Sequence, residues 1–549
     1  MNHHAAGRLP DHIDVVVVGA GLSGVGAGYR LQTGCPDRSY LILESRESMG
    51  GTWDLFTYPG VRSDSDMFTL GYPFKPWRDA RSIADGPSIL RYIEETAAEF
   101  GIDQRIRYAT KVLGADWSTE RALWTLTLER RGPGGTEQVT MTCGFLYSCA
   151  GYYDYDTTYA PELPGLDAYD GQVVHPQFWP EDLDYAGKRV LVIGSGATAV
   201  TLVPSMAQTA AHVTMLQRSP TWIIAVPGRD KQADALRELL PAGVAHRLIR
   251  AKNIAVTTAF YQFCRRYPER ARRLLLGLTT KIVGDPALVA EHFTPSYDPW
   301  DQRLCAVPDG DLFAAMQTGD AEVVTDTIDT FVPAGVRTSS GRVLEADIVV
   351  TATGLQLLAF GGISPSVDGE TVALDEQFVW RGAMVTGVPN FAVCIGYTNA
   401  SWTLRADLSS RLVCKVLNWM DRHDFAAVEP APDRALTERP LLDLAAGYVQ
   451  RSISAFPRQG DSGPWRVRQN YVIDAATTMR TNLAKTLRAT PRSAVAAPAQ
   501  PRTGPRTDGS DRRVARTSSP TSRRAIKTTT VVEVAASRPV PARVPETRL

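Results

Sequence analysis

The chain has 549 residues, a formal net charge of zero, 44% hydrophobic residues and 21% charged residues. This composition describes a globular protein with room for two or three domains. It leaves no electrostatic footprint for nucleic acid, and no apolar run reaches the roughly 18 residues of a membrane-spanning helix.

The N-terminus "MNHHAAGRLPDHIDVVVVGAG" passes straight from an apolar run into a glycine motif, unlike a signal peptide. Seven cysteines are scattered (Cys35, Cys143, Cys149, Cys264, Cys305, Cys394, Cys414) and none forms a C-x-x-C pair. That usage fits a reducing, cytoplasmic setting. It argues against a dithiol reductase and against a zinc site, so no metal is expected.

"IDVVVVGAGLSGVGAGYRLQ" reads as strand, glycine turn and small-residue helix, with the motif Gly19-x-Gly21-x-x-Gly24. The next strand, "SYLILES", ends at Glu44. A β-α-β unit with an acid about 20 residues beyond its glycines is the dinucleotide-binding pattern. Gly19 allows the tight turn, Gly21 the approach of a pyrophosphate, and Gly24 close packing of the helix. Glu44 can accept from the ribose hydroxyls of an adenosine.

"GKRVLVIGSGATAVTLVPSMAQTAAHVTMLQRSP" repeats the unit. Its loop and first helical turn are Gly194, Ser195, Gly196, Ala197, Thr198, Ala199 and Val200. Its second strand ends in Gln217 and Arg218 where an acid would sit. An acid repels a 2′-phosphate and Arg218 pairs with it, which predicts NADPH over NADH. An acid in the first unit and an arginine in the second suggest FAD first and NADPH second.

The segment of about 232–292 is helical in pattern and basic, and has no place in a minimal nucleotide domain. It is expected as a helical insertion covering the substrate side. Its basic amphipathic character leaves peripheral membrane contact open beside the reading of a solvated helical lid. "EADIVVTATGLQ", 345–356, is expected to return the chain to the first domain. From Pro491 onward there are 12 Lys+Arg against 4 Asp+Glu and almost no large apolar residues. Residues 486–549 are therefore expected to form a disordered basic tail.

Two further stretches resemble Baeyer–Villiger monooxygenase patterns. "GGTWDLFTYPGVRSD", 50–64, matches the family's [A/G]GxW…[F/Y]P[G/M]…D pattern at Gly50, Gly51, Trp53, Tyr58, Pro59, Gly60 and Asp64. "YDGQVVHPQFWP", 169–180, matches its FxGxxxHxxxW fingerprint at Gly171, His175 and Trp179, with Tyr169 for the usual Phe. Taken alone, His175 reads as a loop histidine. The family match gives it, with Trp179, a role in holding the linker between domains.

What the resemblance implies is an α/β fold of two Rossmann-like dinucleotide-binding domains of the glutathione-reductase kind. The first FAD part would span 1–150, a fingerprint linker 151–185, an NADPH domain 186–350, and the returning FAD and substrate part 351–485. The activity would be NADPH- and O2-dependent insertion of oxygen into a ketone, with oxygenation of thioamides and sulfides as a second activity. The resemblance places FAD contacts at Ser23, Thr52, Trp53, Asp54, Leu55, Asp64 and Val112. It places Arg62 and Ser63 at the nicotinamide end. Arg303, in "PWDQRL", stands where the family keeps an active-site arginine, and Asp64 would pair with it. A heteroatom-oxygenating flavin enzyme without ketone activity, a non-catalytic NADPH-binding redox sensor, and self-association all stay open at this point.

Overall fold

The computed structural model describes residues 8–495. The valine run forms the strand His12–Val18, whose Val15, Val16 and Val17 are fully buried. It lies parallel to Tyr40–Leu43 on one side and Gly135–Ser148 on the other. A strand buried on both faces reads as a continuous apolar run, as this one does. The helix Leu22–Gly34 crosses between the first two strands, and Thr110–Ser118, Leu123–Gly132 and Gly135–Ser148 add an antiparallel meander. Trp117 and Trp124 meet across that meander with ring centroids 5.5 Å apart.

After Ser148 the chain leaves this sheet and builds a second, five-stranded one. Its spatial order is Ala321–Thr325, His212–Gln217, Arg189–Ile193, Ile348–Thr351, Gln172–Val174, all parallel. Two expectations change here. The strand Ile348–Thr351 of "EADIVVTATGLQ" is the last strand of the second sheet, so the return begins only after it. Part of the expected linker, Gln172–Val174, is an edge strand of that same sheet. Its three residues are too few to show a periodicity. The chain then rejoins the first sheet twice, through Pro365–Val367, parallel to Ala115–Trp117, and through Phe391–Val393, parallel to Leu146–Ser148.

The segment expected as an insertion consists of the helices Lys231–Leu239, Ala242–Arg266, Pro268–Val283 and Pro286–His292. It is anchored on the first domain. The buried Arg250 donates to the carbonyls of Phe68 (2.8 Å), Thr69 (3.2 Å) and Gly71 (2.8 Å).

The long helix Trp402–Arg422 packs along Leu22–Gly34, tied by Arg30–Asp407 at 2.7 Å. Beyond it, Phe425–Pro430 pairs antiparallel with Leu487–Pro491. A tail beginning at 486 is therefore corrected. Residues 487–491 belong to the fold, held by buried Leu487 and by Ala489 against the first core. Only those side chains face inward, too few to outweigh the surrounding Arg, Thr and Pro in a compositional reading. The rest of the expected tail, 496–549, lies outside the described residues.

Candidate active site

At the C-terminal ends of the first sheet's strands the first glycine motif opens onto a cavity of about 560 Å³. That is where open α/β sheets bind ligands. Gly19 has φ +98°, and a Cβ there would lie 2.9 Å from the Cys149 carbonyl oxygen. Gly21 is bridged to Gly50, and a Cβ on it would meet Gly51 Cα at 3.4 Å. A Cβ on Gly24 would overlap the Gly19 carbonyl. The helix Leu22–Gly34 has neither a side-chain cap nor an acid in its first turn, so its free N–H groups face the cradle. Ser23 lines the cavity, and its Oγ accepts from Trp402 Nε1 at 2.7 Å.

Glu44 is 5% exposed and lines the same cavity. One carboxylate oxygen accepts from the Ala20 amide at 2.7 Å, the other from the Arg46 amide at 2.9 Å. Burial pushes its carboxyl above the ordinary range, and these amides only partly oppose that. Val112 lines the cavity beside a register shift between Val112 and Gly114. The irregularity leaves main-chain groups there outside the ladder.

Thr52 and Trp53 line the cavity, and Thr52 Oγ1 is 3.3 Å from the Tyr155 hydroxyl. Asp54 turns instead to Arg46 (2.9 Å) and Ser48, and Leu55 packs against the second domain's core. Neither lines the cavity.

The rest of the first fingerprint is a joint between domains. Burial raises the Tyr58 phenol to about 12, and its hydroxyl meets the Thr198 side chain of the second glycine motif. A Cβ on Gly60 would lie 2.8 Å from Ser205 Cβ. Arg62 makes a two-point ion pair with Asp311 of the second domain. Ser63 is buried, with its hydroxyl turned back to Ser65.

Asp64 and Arg303, far apart in sequence, meet at 2.9 Å in the cavity wall. The carboxylate beside it holds the Arg303 guanidinium well above even its ordinary high value, against the opposing effect of burial. Tyr152, Tyr153 and Tyr448 surround this arginine, and burial pushes all three phenols up. They remain protonated around a fixed cation.

In the second motif, Gly194 has φ +133°, and Ala197 and Thr198 reach the cavity. Ser195 Oγ is 2.7 Å from Thr221 Oγ1, Gly196 is the exposed N-cap of the helix Ala197–Met206, and Ala199 and Val200 are buried in the helix. Arg218 is exposed and makes no ion pair among the described residues. Gln217 faces the opposite way. It is buried, and its amide donates to the His292 carbonyl (2.7 Å) and Thr325 (2.9 Å), so it is committed to the fold.

The second fingerprint does not line the cavity. The Tyr169 hydroxyl donates to the Ala346 carbonyl at 3.0 Å, and a Cβ on Gly171 would lie 2.7 Å from the Asp347 carbonyl oxygen. His175 Nδ1 accepts from the Gln177 amide at 3.2 Å and caps the turn Pro176–Phe178. Burial lowers the His175 pKa despite a backbone hydrogen bond at Gly354. Trp179 packs at the edge of the second core.

Family comparisons agree with this geometry. The flavin-binding monooxygenase-like family matches residues 70–232, and an NAD(P)-binding Rossmann-like domain matches residues 17–81. The FAD-containing monooxygenase EthA of Mycolicibacterium smegmatis is 52% identical over 468 residues, covering 85% of this chain and 94% of that protein. EthA of Mycobacterium tuberculosis is 51% identical, covering 85% and 95%. The chain belongs to the FAD-containing monooxygenases. A solved steroid monooxygenase bound to NADP shares the fold, with a TM-score of 0.67 at 22% identity, covering 87% of this chain and all of that one.

The cradle of this monooxygenase fits FAD. Gly19 and Gly24 stand where a Cβ would collide with main chain, an uncapped helix end opens on the cavity where a phosphate would lie, and the buried carboxylate of Glu44 lines it where a ribose would lie. Sequence reasoning missed Tyr152, Tyr153, Tyr155, Tyr448 and Trp402. The "GYYDYD" run follows the strand Gly135–Ser148 at its C-terminal end, and that position was the available signal. Tyr448 comes from a distant helix and carried none.

Proposed function

We propose that this monooxygenase is of the Baeyer–Villiger type. It uses FAD, NADPH and O2 to insert one oxygen atom into ketones, giving esters or lactones, and it also S-oxygenates thioamides and sulfides. The observation that carries the reading is the Arg303–Asp64 pair, 2.9 Å apart in the wall of the FAD-sized cavity. Bound FAD, reduced by NADPH, supplies the centre at which O2 is activated.

The chain's residues do the rest. Arg303 supplies a permanent positive charge where negative charge develops, and it has several donors to aim. Asp64 fixes the guanidinium plane and keeps Arg303 from reaching further into the cavity. Tyr152 and Tyr153 bring two protonated hydroxyl-bearing rings to the same wall and narrow it. Trp402 packs on Tyr152 with ring centroids 5.1 Å apart and closes that side against water. Arg218 selects the 2′-phosphate of NADPH. The fingerprint with His175 and Trp179 holds the crossing between domains while they shift.

The test is product analysis. FAD-loaded protein, NADPH and ¹⁸O₂ are incubated with a medium-chain 2-ketone and the ester is sought by mass spectrometry. The expected result is a singly labelled ester that disappears in Arg303→Ala while flavin reduction survives. NADPH consumption that yields only hydrogen peroxide across several ketones would overturn ketone oxygenation.

A further inference from the structure

Residues 242–283 carry nine Lys+Arg and one acid, Glu269, in a chain of zero net charge. The helix Pro268–Val283 within this segment has two apolar stripes. One, Ala271, Leu275 and Thr279, is buried against the protein. The other, Leu274, Leu278 and Ile282, repeats every four residues and faces solvent, 46%, 44% and 37% exposed. At this spacing the three side chains share one face. Arg270, Arg273 and Lys281 flank them, exposed and without acidic partners among the described residues. A helix on a globular surface normally turns polar residues outward. Here the outward face is a Leu-Leu-Ile ridge with a row of cations along its solvent side.

We propose that this face docks the protein on an anionic phospholipid surface. The ridge enters the headgroup boundary, and the arginines and lysine reach lipid phosphates from their aliphatic stems. Charge selects this occupant over the alternatives. The segment 496–549 is itself basic, with 11 Lys+Arg against 4 Asp+Glu, and would be repelled. A second copy meeting the same face across a two-fold axis would set cation against cation. The docked helix also holds the active-site loop. Arg272 donates to the carbonyls of Pro295 and Tyr297, each at 3.0 Å, just before Arg303.

The test uses the full FAD-loaded chain and flotation with two kinds of vesicle, phosphatidylcholine alone and phosphatidylcholine with 30% phosphatidylglycerol. Binding is expected only to the anionic vesicles and should weaken as salt rises. The variant Arg270→Ser/Arg273→Ser/Lys281→Ser should bind on the order of a hundredfold more weakly. Leu274→Ser/Leu278→Ser/Ile282→Ser should lose at least tenfold, and both variants should keep the wild-type flavin spectrum.

All seven native cysteines are buried, so Leu278→Cys can carry an environment-sensitive fluorophore. Its emission should rise and shift to the blue on anionic vesicles. Unchanged vesicle affinity in the serine variants would overturn the proposal by assigning binding to another part of the chain. A silent probe on bound protein would overturn insertion of the ridge.

Discussion

Arg62 and Asp311 lock the two dinucleotide-binding domains together through a two-point ion pair. Arg62 lies within the first fingerprint, and Asp311 opens the helix Asp311–Thr318 of the second domain. Both Arg62 and Thr198 also line the cavity, so the lock lies beside the place where a nicotinamide would meet the flavin. Arg62→Ala and Asp311→Ala should each raise hydrogen peroxide output per NADPH consumed. The double variant should be no worse than either single one, because residues acting as a unit are not additive. Measuring peroxide and oxygenated product together checks this, and additive losses would separate the two residues.

Glu44 predicts how FAD affinity depends on pH. In the empty site its carboxyl sits above the ordinary range because burial disfavours the charge. Ribose hydroxyls donating to it would lower that pKa in the complex. Affinity should therefore be full above the pKa of the empty site and fall as pH drops through it. Glu44→Gln should flatten the profile and weaken FAD at neutral pH by about 1.5–3 kcal/mol, the worth of hydrogen bonds to a charged group. Flavin fluorescence titrations of deflavinated protein at several pH values read both effects.

Arg218 should decide between the nicotinamide cofactors. It is exposed and has no ion-pair partner among the described residues, so Arg218→Ala should leave stability unchanged within about 0.5 kcal/mol. The ratio of kcat/KM for NADPH over NADH should fall by roughly ten- to a hundredfold, the loss of one charged contact to phosphate. Stopped-flow flavin reduction with each cofactor measures this without involving the oxygenated substrate.

The two proposed oxygenations should separate with pH. A ketone carbonyl is an electrophile and calls for a deprotonated oxygen donor, which the charge of Arg303 favours. A neutral sulfur is a nucleophile and calls for the protonated form. The ratio of ester to sulfoxide from an equimolar ketone and sulfide should rise with pH, and Arg303→Lys should shift the crossover. A ratio independent of pH would refute the division.

The sequence was most legible where backbone constraints force residue types. Gly19 and Gly24 are required because a side chain at each would collide with main chain, and that requirement appears in the motif. Glu44 and Arg218 were legible because strand ends sit a fixed distance beyond the glycines. The partnership of Arg303 with Asp64 came from family resemblance, since nothing local in "PWDQRL" announces a pair across more than 200 residues. Gln217 shows the limit of position alone. It has the right place at the strand end, yet its side chain alternates to the inner face and is used there. The strand Leu487–Pro491 was hidden because edge pairing relies on main-chain hydrogen bonds, which composition does not record.

The pairing of Phe391–Val393 with Leu146–Ser148 also sets an order of assembly on the ribosome. The second sheet uses strands only from 172–351, so its strands have all been made once Thr351 is synthesised. The first sheet must wait, with its valine strand and glycine cradle already made, until Phe391–Val393 arrives. Trp402, which reaches back to Ser23, comes later still. The nucleotide site encoded first is thus completed last. During that interval Val15 and Val17 on one face of the strand, and Val16 on the other, lack the later residues that complete their two cores, which makes this strand the part of the nascent chain most in need of protection from aggregation.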